Sequence, residues 1–399
     1  MAFEENGPRI WPVTPCWQSA VQESLAWETD VMRASATAVS QHRSVRIGPA
    51  RELSFEVLST GKERRVLDML LAGHRGSWQL PIWGDVQWLT AAIEIGADEV
   101  PCATAGFDFV QGGNVLLYSS VNRWQLLEVE TIAADHLVLA SATTVAFGPG
   151  DRLYPLRRAR LQPGAEERMK SLDTSRRRLV FDIDEPCDWP ALVDPTLYLT
   201  HPVLDVWPDE SEDPASNYQR LLQSVAYTGT RKFEYDLADQ ALRMQTTHWK
   251  LFNRAQHTWF RSLLYTLDGR RVPMWLPSFT ADLKPVASIT GGSTSMSIEW
   301  AGYTLFGKDR HNRKDLRIGL DDGAVLYRRI TNAVEAGDTE TLTLSASLDD
   351  GAIAPERIRS IGFLALATLA SDSVEIEHIT DQDGTARSTL GWQAVVPDV

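Results

Sequence analysis

The sequence has little of what metal, redox and nucleophilic chemistry needs. Its three cysteines, Cys16, Cys102 and Cys187, are odd in number and far apart, with no Cys-x-x-Cys and no histidine at ligand spacing. That pattern excludes a disulfide framework and the common zinc sites, and it reads as idle thiols from a reducing compartment. The eight histidines are scattered and never form His-Glu-x-x-His. Gly-x-Ser-x-Gly is absent, so Gly291-Gly292-Ser293-Thr294-Ser295 reads as a hairpin loop, and there is no Gly-rich phosphate loop. No apolar run approaches membrane-spanning length, and Met1-Ala2-Phe3-Glu4-Glu5 lacks a positive n-region and an apolar h-region. The expectation is a chain made soluble in the cytoplasm, with no membrane partner and no cofactor. Positive charge is scarce as well: the net charge is −14, against a role that neutralises phosphates of nucleic acid. A surface that DNA merely passes is, by contrast, well served by acidity.

What the chain does have is a repetition. Gly73-His74-Arg75-Gly76-Ser77-Trp78-Gln79-Leu80-Pro81-Ile82-Trp83 returns as Gly269-Arg270-Arg271-Val272-Pro273-Met274-Trp275-Leu276-Pro277-Ser278-Phe279, a separation of 269 − 73 = 196 residues. Arg75/Arg271, Leu80/Leu276 and Pro81/Pro277 keep that register, and Trp83/Phe279 keep aromatic character. The offset recurs in Trp11-Pro12 and Trp207-Pro208, Ile93 and Ile289, and Gly96 and Gly292. A period this long implies a pair of domains rather than a solenoid.

Local patterns give each copy the same plan. Leu53-Ser54-Phe55-Glu56-Val57 alternates as a half-buried strand, as does Trp249-Lys250-Leu251. The period then turns helical over Glu63–Ala72 and His257–Leu267, each closed by a glycine, Gly73 or Gly269. A strand through Leu-Pro follows, expected at an edge or bulge because proline donates no ladder bond. Short strands come next: Ala92–Gly96, Asn114–Tyr118, Leu126–Glu130 and Leu137–Leu139 in the first copy, Ala324–Tyr327 and Glu340–Leu344 in the second. Each copy closes on an alternating strand, Leu179–Ile183 or Ser373–Glu377.

The fold class expected is therefore mainly β, as two tandem copies of a β-sandwich or barrel unit, each with one short helix and a small inserted β-barrel. The first unit spans 1–184 with its insert at about 95–160. A Pro- and Asp-rich junction covers 185–214, with the acidic run Asp209-Glu210-Ser211-Glu212-Asp213. The second unit spans 205–399 with its insert at about 290–368.

No catalytic constellation outweighs its bland alternative, so the chain is expected not to be an enzyme. Asp182 and Asp184 share a strand face, which alternation explains without a carboxylate pair. Asp381-Gln382-Asp383-Gly384 lacks the third acid and closing Glu of a calcium loop and reads as a turn. Arg176-Arg177-Arg178 reads as a solvated edge that deters strand addition. The candidate functional residues are those of the repeated motif, Gly73, Arg75, Trp78, Leu80, Pro81 and Trp83 with Gly269, Arg271, Trp275, Leu276, Pro277 and Phe279, serving a core or a subunit interface.

A helix ending in Gly-x-Arg, a hydrophobic strand through Leu-Pro and an aromatic, a small β-insert and a closing Val-x-apolar strand together resemble the tail-tip proteins of long-tailed bacteriophages, of the distal tail and upper baseplate or hub type. The resemblance implies a virion structural protein of the tail tip, forming a ring around the tail axis that joins the tail tube to hub and receptor-binding parts. Its partners would be further copies of itself and the tube, hub and fibre proteins, with no specific nucleic acid and DNA free to pass through the lumen. A typical distal tail protein carries one such unit and forms a hexamer. Two units per chain favour a trimer with quasi-sixfold symmetry, the hexamer staying open. Some hubs of this kind hold an iron–sulfur cluster on four cysteines, and three cysteines do not provide that. The competing reading is a tandem β-domain module that binds host-surface glycans through exposed tryptophans.

Overall fold

Alternating apolar and polar residues make the chain mainly β, 49% strand and 11% helix. The computed structural model describes residues 9–396 apart from 35–36, 75, 165, 227–231, 350 and 382–383, with the backbone alone at 237–238 and 240. The first half runs β1 (Arg9–Ile10), β2 (Val21–Ala26), β3 (Thr29–Arg33), β4 (Ser40–Ser44), β5 (Ala50–Thr60), helix α1 (Gly61–Gly73), β6 (Trp78–Pro81), β7 (Gln87–Trp88), β8 (Glu99–Pro101), β9 (Asn114–Ser120), β10 (Arg123–Ile132), β11 (His136–Leu139), β12 (Arg152–Leu161), β13 (Glu167–Ser171) and β14 (Thr174–Ile183). Two short pieces follow, β15 (Leu197–Tyr198) and β16 (His201–Pro202). The second half runs β17 (Ala215–Ala226), β18 (Lys232–Leu251), helix α2 (Arg254–Leu267), β19 (Met274–Pro277), β20 (Ser295–Glu299), β21 (Asp315–Leu320), β22 (Val325–Ala336), β23 (Thr339–Leu344), β24 (Ile358–Leu369), β25 (Ser373–His378) and β26 (Ala386–Ala394).

One ladder crosses the whole molecule in the order β1-β6-β12-β14-β5-β2-β25-β26-β18-β17, antiparallel except for β1 and β6. Its joint is β2, hydrogen-bonded to β5 on one side and to β25 of the second half on the other. Val21, Glu23 and Leu25 of β2 point to the buried side, the period-two consequence of a strand with both edges paired. Two principal cores lie against this sheet. One is built around Trp11, Trp78, Trp83, Phe55 and Phe181, the other around Trp249, Phe260, Leu263, Leu264 and Trp392.

The strands between the Leu-Pro segment and the return strand of each half carry cores of their own. In the first, β7-β12-β9-β10-β11-β8 pair in that order over a cluster that runs from Leu89 to Leu153. In the second, β20-β23-β22-β21-β24 pair over a cluster from Leu283 to Phe363.

The two helices start and stop for different reasons. At α2 the Asn253 side chain caps by accepting from the Gln256 N–H at 2.9 Å, while the Gln256 side chain accepts from the Phe252 N–H at 2.8 Å. The helix ends in a left-handed Asp268, followed by Gly269 at φ +65°. A Cβ on Gly269 would sit 2.7 Å from Trp27 Cβ, so both the backbone angle and the space demand glycine there. By contrast α1 has no side-chain cap, Gly73 is its last helical residue, and His74 leaves it extended. The glycine expected to stop both helices alike does so in α2 only.

Two further expectations are corrected. Ala92–Gly96 is not a strand but a single bridge, Ile93 to Phe147, because Ile95 faces solvent and Gly96 turns left-handed. Arg176-Arg177-Arg178 is not at an edge, since β14 is bonded to β5 on one side and to β13 and β12 on the other. Its charge is absorbed laterally: Arg176 lies 3.3 Å from Glu56, Arg177 2.9 Å from Glu167, and Arg178 reaches Ser54 and Gln22 at 3.1 Å.

Candidate functional site

The repeated motif forms two short strands in matching positions. In β6 Trp78, Gln79, Leu80 and Pro81 are all buried, and in β19 so are Met274, Trp275, Leu276 and Pro277. Pro81 lies opposite Leu156 of β12, and Pro277 opposite Leu364 of β24. Each proline ends its strand, and the parallel neighbour reaches only the positions before it: β1 pairs with Trp78 and Gln79, and Val203 bridges to Trp275. A missing N–H therefore costs no ladder bond there.

The aromatics of the motif pack differently in the two halves. Trp78 meets Trp11 edge-on at 5.3 Å, and Trp83 meets Tyr154 at 5.2 Å, all within the first core. Trp275 meets Tyr198 at 5.4 Å in a smaller cluster, its indole N–H donating to the Tyr198 carbonyl at 2.7 Å. Phe279 is half-buried at φ +57° and packs on Trp207 at 5.3 Å. Arg271 is exposed and pairs with Asp268. Arg75 lies outside the described residues.

Where the two halves meet, the molecule buries a network of charges that no motif announced. Glu23 of β2 is fully buried and holds three partners: Arg51 of β5 at 2.7 Å, Arg261 of α2 at 2.7 Å and the Nε2–H of His378 of β25 at 2.8 Å. Arg51 also reaches Asp108 at 2.5 Å. Asp108 comes from the loop before β9 and is gripped by the Arg157 guanidinium of β12. Its backbone N–H donates to Asp85 at 3.0 Å, and Asp85 in turn accepts from Arg254 of α2 at 2.6 Å. Stacking closes the set, with Arg254 over Phe107 at 4.2 Å and Arg261 over Trp189 at 4.6 Å.

The electrostatics follow from these contacts. Burial pushes the Glu23 carboxyl up, yet Arg261, Arg51 and His378 outweigh it and hold it well below the usual carboxylate range. Asp108 is likewise opposed by burial and still brought down to about 2 by Arg51 and Arg157. His257 of α2, 5.4 Å from the His378 ring, has no hydrogen-bond partner on either nitrogen. Burial first, then the nearby charges of His378, Arg254 and Arg261, keep it well below the ordinary histidine value, so it stays neutral.

Every carboxylate oxygen in this network already accepts from an arginine, a histidine or a backbone N–H. Carboxylates engaged in this way by buried arginines hold elements together, because removing either partner would strand a charge in the interior. The chemistry of the site is thus attachment: α2 and β25 of the second half are pinned to β2, β5, β12 and the Asp108 loop of the first.

The other residues singled out by sequence stay apart from it. Asp182 accepts from Gln162 at 2.8 Å and Asp184 pairs with Arg160 at 2.9 Å, both near the surface. Gly292 turns a loop at φ +70° before β20. Gln382 and Asp383 of the Asp381-Gln382-Asp383-Gly384 segment lie outside the described residues. Among the described residues no group of three or more His, Cys, Asp or Glu is placed to hold a metal ion, and no helix is long and apolar enough to cross a membrane. No family model matches the sequence, and no curated protein matches it.

Proposed function

We propose that the chain consists of two copies of one unit and serves as a ring-forming structural component of the tail tip of a long-tailed phage, joining the tail tube to hub and receptor-binding parts. The observation that carries the duplication is a ladder that can be walked in step through both halves. Pro81 faces Leu156, Ala159 faces Ile183, Phe181 faces Leu53, and Leu53 faces Glu23. Pro277 faces Leu364, Ala367 faces Ala394, Trp392 faces Gln245, and Gln245 faces Ser216. Each walk takes the same strides along each strand. By this register β14 corresponds to β26 and β13 to β25, so the strands that looked like equivalent closures, Leu179–Ile183 and Ser373–Glu377, are not equivalent. The pairing also aligns Trp11, whose N–H donates to Gln79, with Leu204, whose N–H donates to Trp275, in place of Trp207.

A ring function is supported by what the second half leaves uncovered. The β17–β18 ribbon exposes Tyr218, Leu222, Val225, Phe233 and Tyr235, large apolar side chains that a lone chain has no reason to present together. Two units per chain favour three chains around a sixfold tube. Light scattering at several concentrations, followed by negative-stain images, tests this: a three-chain ring is expected, six chains would move the protein to the one-ring-per-hexamer class, and a monomer at every concentration with no rings in particles would overturn the reading.

One observation favours glycan binding as the alternative. Trp300 and Phe306, 44% and 74% exposed, flank Gly302, making an open aromatic surface. Tryptophan fluorescence that changes on adding host-surface polysaccharide would support this reading, and a flat titration would remove it.

A further inference from the structure

The joint inside the chain is a strand pair whose two partners each have a counterpart with no further strand on its outer edge among the described residues. Within the chain β2 is bonded to β5 and presents its other edge to β25, which is itself bonded to β26. The strand in the place of β2 is β17, bonded to β18; the strand in the place of β25 is β13, bonded to β14. Among the described residues β17 pairs with β18 alone and β13 with β14 alone. A twelve-residue strand with an open edge and no proline offers a row of unpaired backbone groups to another strand; its one irregularity, between Arg220 and Leu222, lies beyond the Ala215–Tyr218 stretch.

We propose that β17 of one copy adds antiparallel to β13 of a second copy, repeating between chains the β2–β25 pairing made within each chain. The inference rests on the ring reading above. Because the donor and acceptor edges differ, the contact is head-to-tail, the kind that closes into a ring when the rotation allows.

The internal joint fixes the register. There Glu23 lies opposite Ile376. Ser216 holds the place of Glu23, and Glu167, opposite Arg177 as Ile376 is opposite Ser388, holds the place of Ile376. Ser216 therefore faces Glu167 of the partner subunit, and Ala215 faces Arg168 of the partner subunit.

Two independent features fit this register. Tyr218 stands where the buried Leu25 stands in the internal joint, and Met169 where the buried His378 stands; in the single chain they are 56% and 51% exposed, and the pairing would cover both. Charge is complementary as well. Continuing the antiparallel run carries the acidic segment Asp209–Asp213, just before β17, alongside Arg168 and Lys170 of the partner subunit. Both basic residues are exposed, and Arg168 has only a loose 3.7 Å contact to an exposed Glu166.

Cysteine cross-linking in the full chain tests the register. Directly opposed residues of an antiparallel pair bring their Cα atoms to about 4.5–5.5 Å, within the span that a disulfide bridges. A mixture of the Ser216→Cys and Glu167→Cys chains is expected to give a cross-linked dimer that neither chain gives alone, and neither does the wild type, which controls for Cys16 and Cys102. Pairing Ser216→Cys with Leu172→Cys, five positions off register, should give none. Near-UV circular dichroism confirms that each variant is folded. Rings of native mass without the Ser216–Glu167 cross-link would overturn this inference and leave the ring reading standing. Chains that stay monomeric without cross-linking would overturn both. Cross-linked open filaments would support the strand pairing and overturn ring closure.

Discussion

Replacing Glu23 by glutamine keeps the size of the side chain and removes its charge, and the structure allows the cost to be bounded. The carboxylate is fully buried and serves three donors from three elements. Arg51 would keep Asp108 as a partner, whereas Arg261 would be left in the interior with no carboxylate, its charge facing only the Trp189 ring. Removing one member of a buried ion pair typically costs about 3–5 kcal/mol, because the remaining charge stays desolvated. The expected loss for Glu23→Gln is therefore about 3 kcal/mol or more. Replacing the pair by apolar groups, Glu23→Leu with Arg261→Met, is expected to recover part of it: the stranded Arg261 charge is gone, while Arg51 still shares Asp108 with Arg157 and the His378 Nε2–H loses its acceptor.

The measurement is denaturant unfolding followed by tryptophan fluorescence, at a concentration where association is negligible so that ring formation does not add to stability. Hydrogen exchange along α2 gives a second readout, because Glu23 holds Arg261 in the middle of that helix while Asp85 holds Arg254 at its start. The loss should persist at about 0.5 M salt, where exposed pairs are screened and buried ones are not. A loss under about 1 kcal/mol, within the range of an exposed pair, or additive single and double variants, would refute the claim that the network clamps the two halves.

Acid should loosen the same joint in stages. The His257 pKa is depressed in the fold, so the unfolded chain takes up its proton first; the stability it contributes is complete above about 6.5 and declines as pH falls below that value. Glu23 and Asp108 are also depressed, so their contributions are present above the normal carboxylate range and are lost below it, that of Asp108 amounting to about 2 kcal/mol between its unfolded value and about 2. Thermal melting from pH 7.5 downward should show the decline, and a flat profile to pH 4 would contradict it. The two motif glycines should respond oppositely. Gly269→Ala is expected to cost about 1–3 kcal/mol from its left-handed backbone and the contact with Trp27, whereas Gly73→Ala, helical and with open space around it, is expected to be neutral or to gain up to about 1 kcal/mol, both read from melting temperature. Reversing charge with Arg168→Glu and Lys170→Glu should weaken assembly at low salt with little change in monomer stability, as sedimentation would show.

The parts of this fold that were legible in the sequence are those set by local periodicity. The switch from period two to helical spacing placed both helices within a few residues, and the short apolar runs between turn residues at Asn114–Tyr118 and Leu137–Leu139 marked real strands, because each pattern is decided by neighbours a few residues away. Ladder partners are decided by distant residues, which a linear reading does not see: a constant offset pairs Trp11 with Trp207, whereas under the proposed duplication the backbone bonds of Trp11 to Gln79 and of Leu204 to Trp275 pair Trp11 with Leu204. The charge network was invisible for a related reason. Glu23, Arg51, Arg261 and His378 are spread along the chain in no motif, and each alone looks like an ordinary surface charge. A signal did exist. Glu23 occupies an apolar phase between Val21 and Leu25, His378 continues the inward phase of Val374 and Ile376, and Arg261 lies beside the buried stripe of Phe260, Leu263 and Leu264. Opposite charges standing on inward phases of separate elements have to find one another or forfeit their hydration, so a strand reading that flags every inward charge would have named this joint before any coordinates did. The same test applied to β17 finds no inward charge where β2 has Glu23, only Ser216. The contact expected between copies therefore lacks the clamp that fixes the internal one, and it should be the weaker and more reversible of the two.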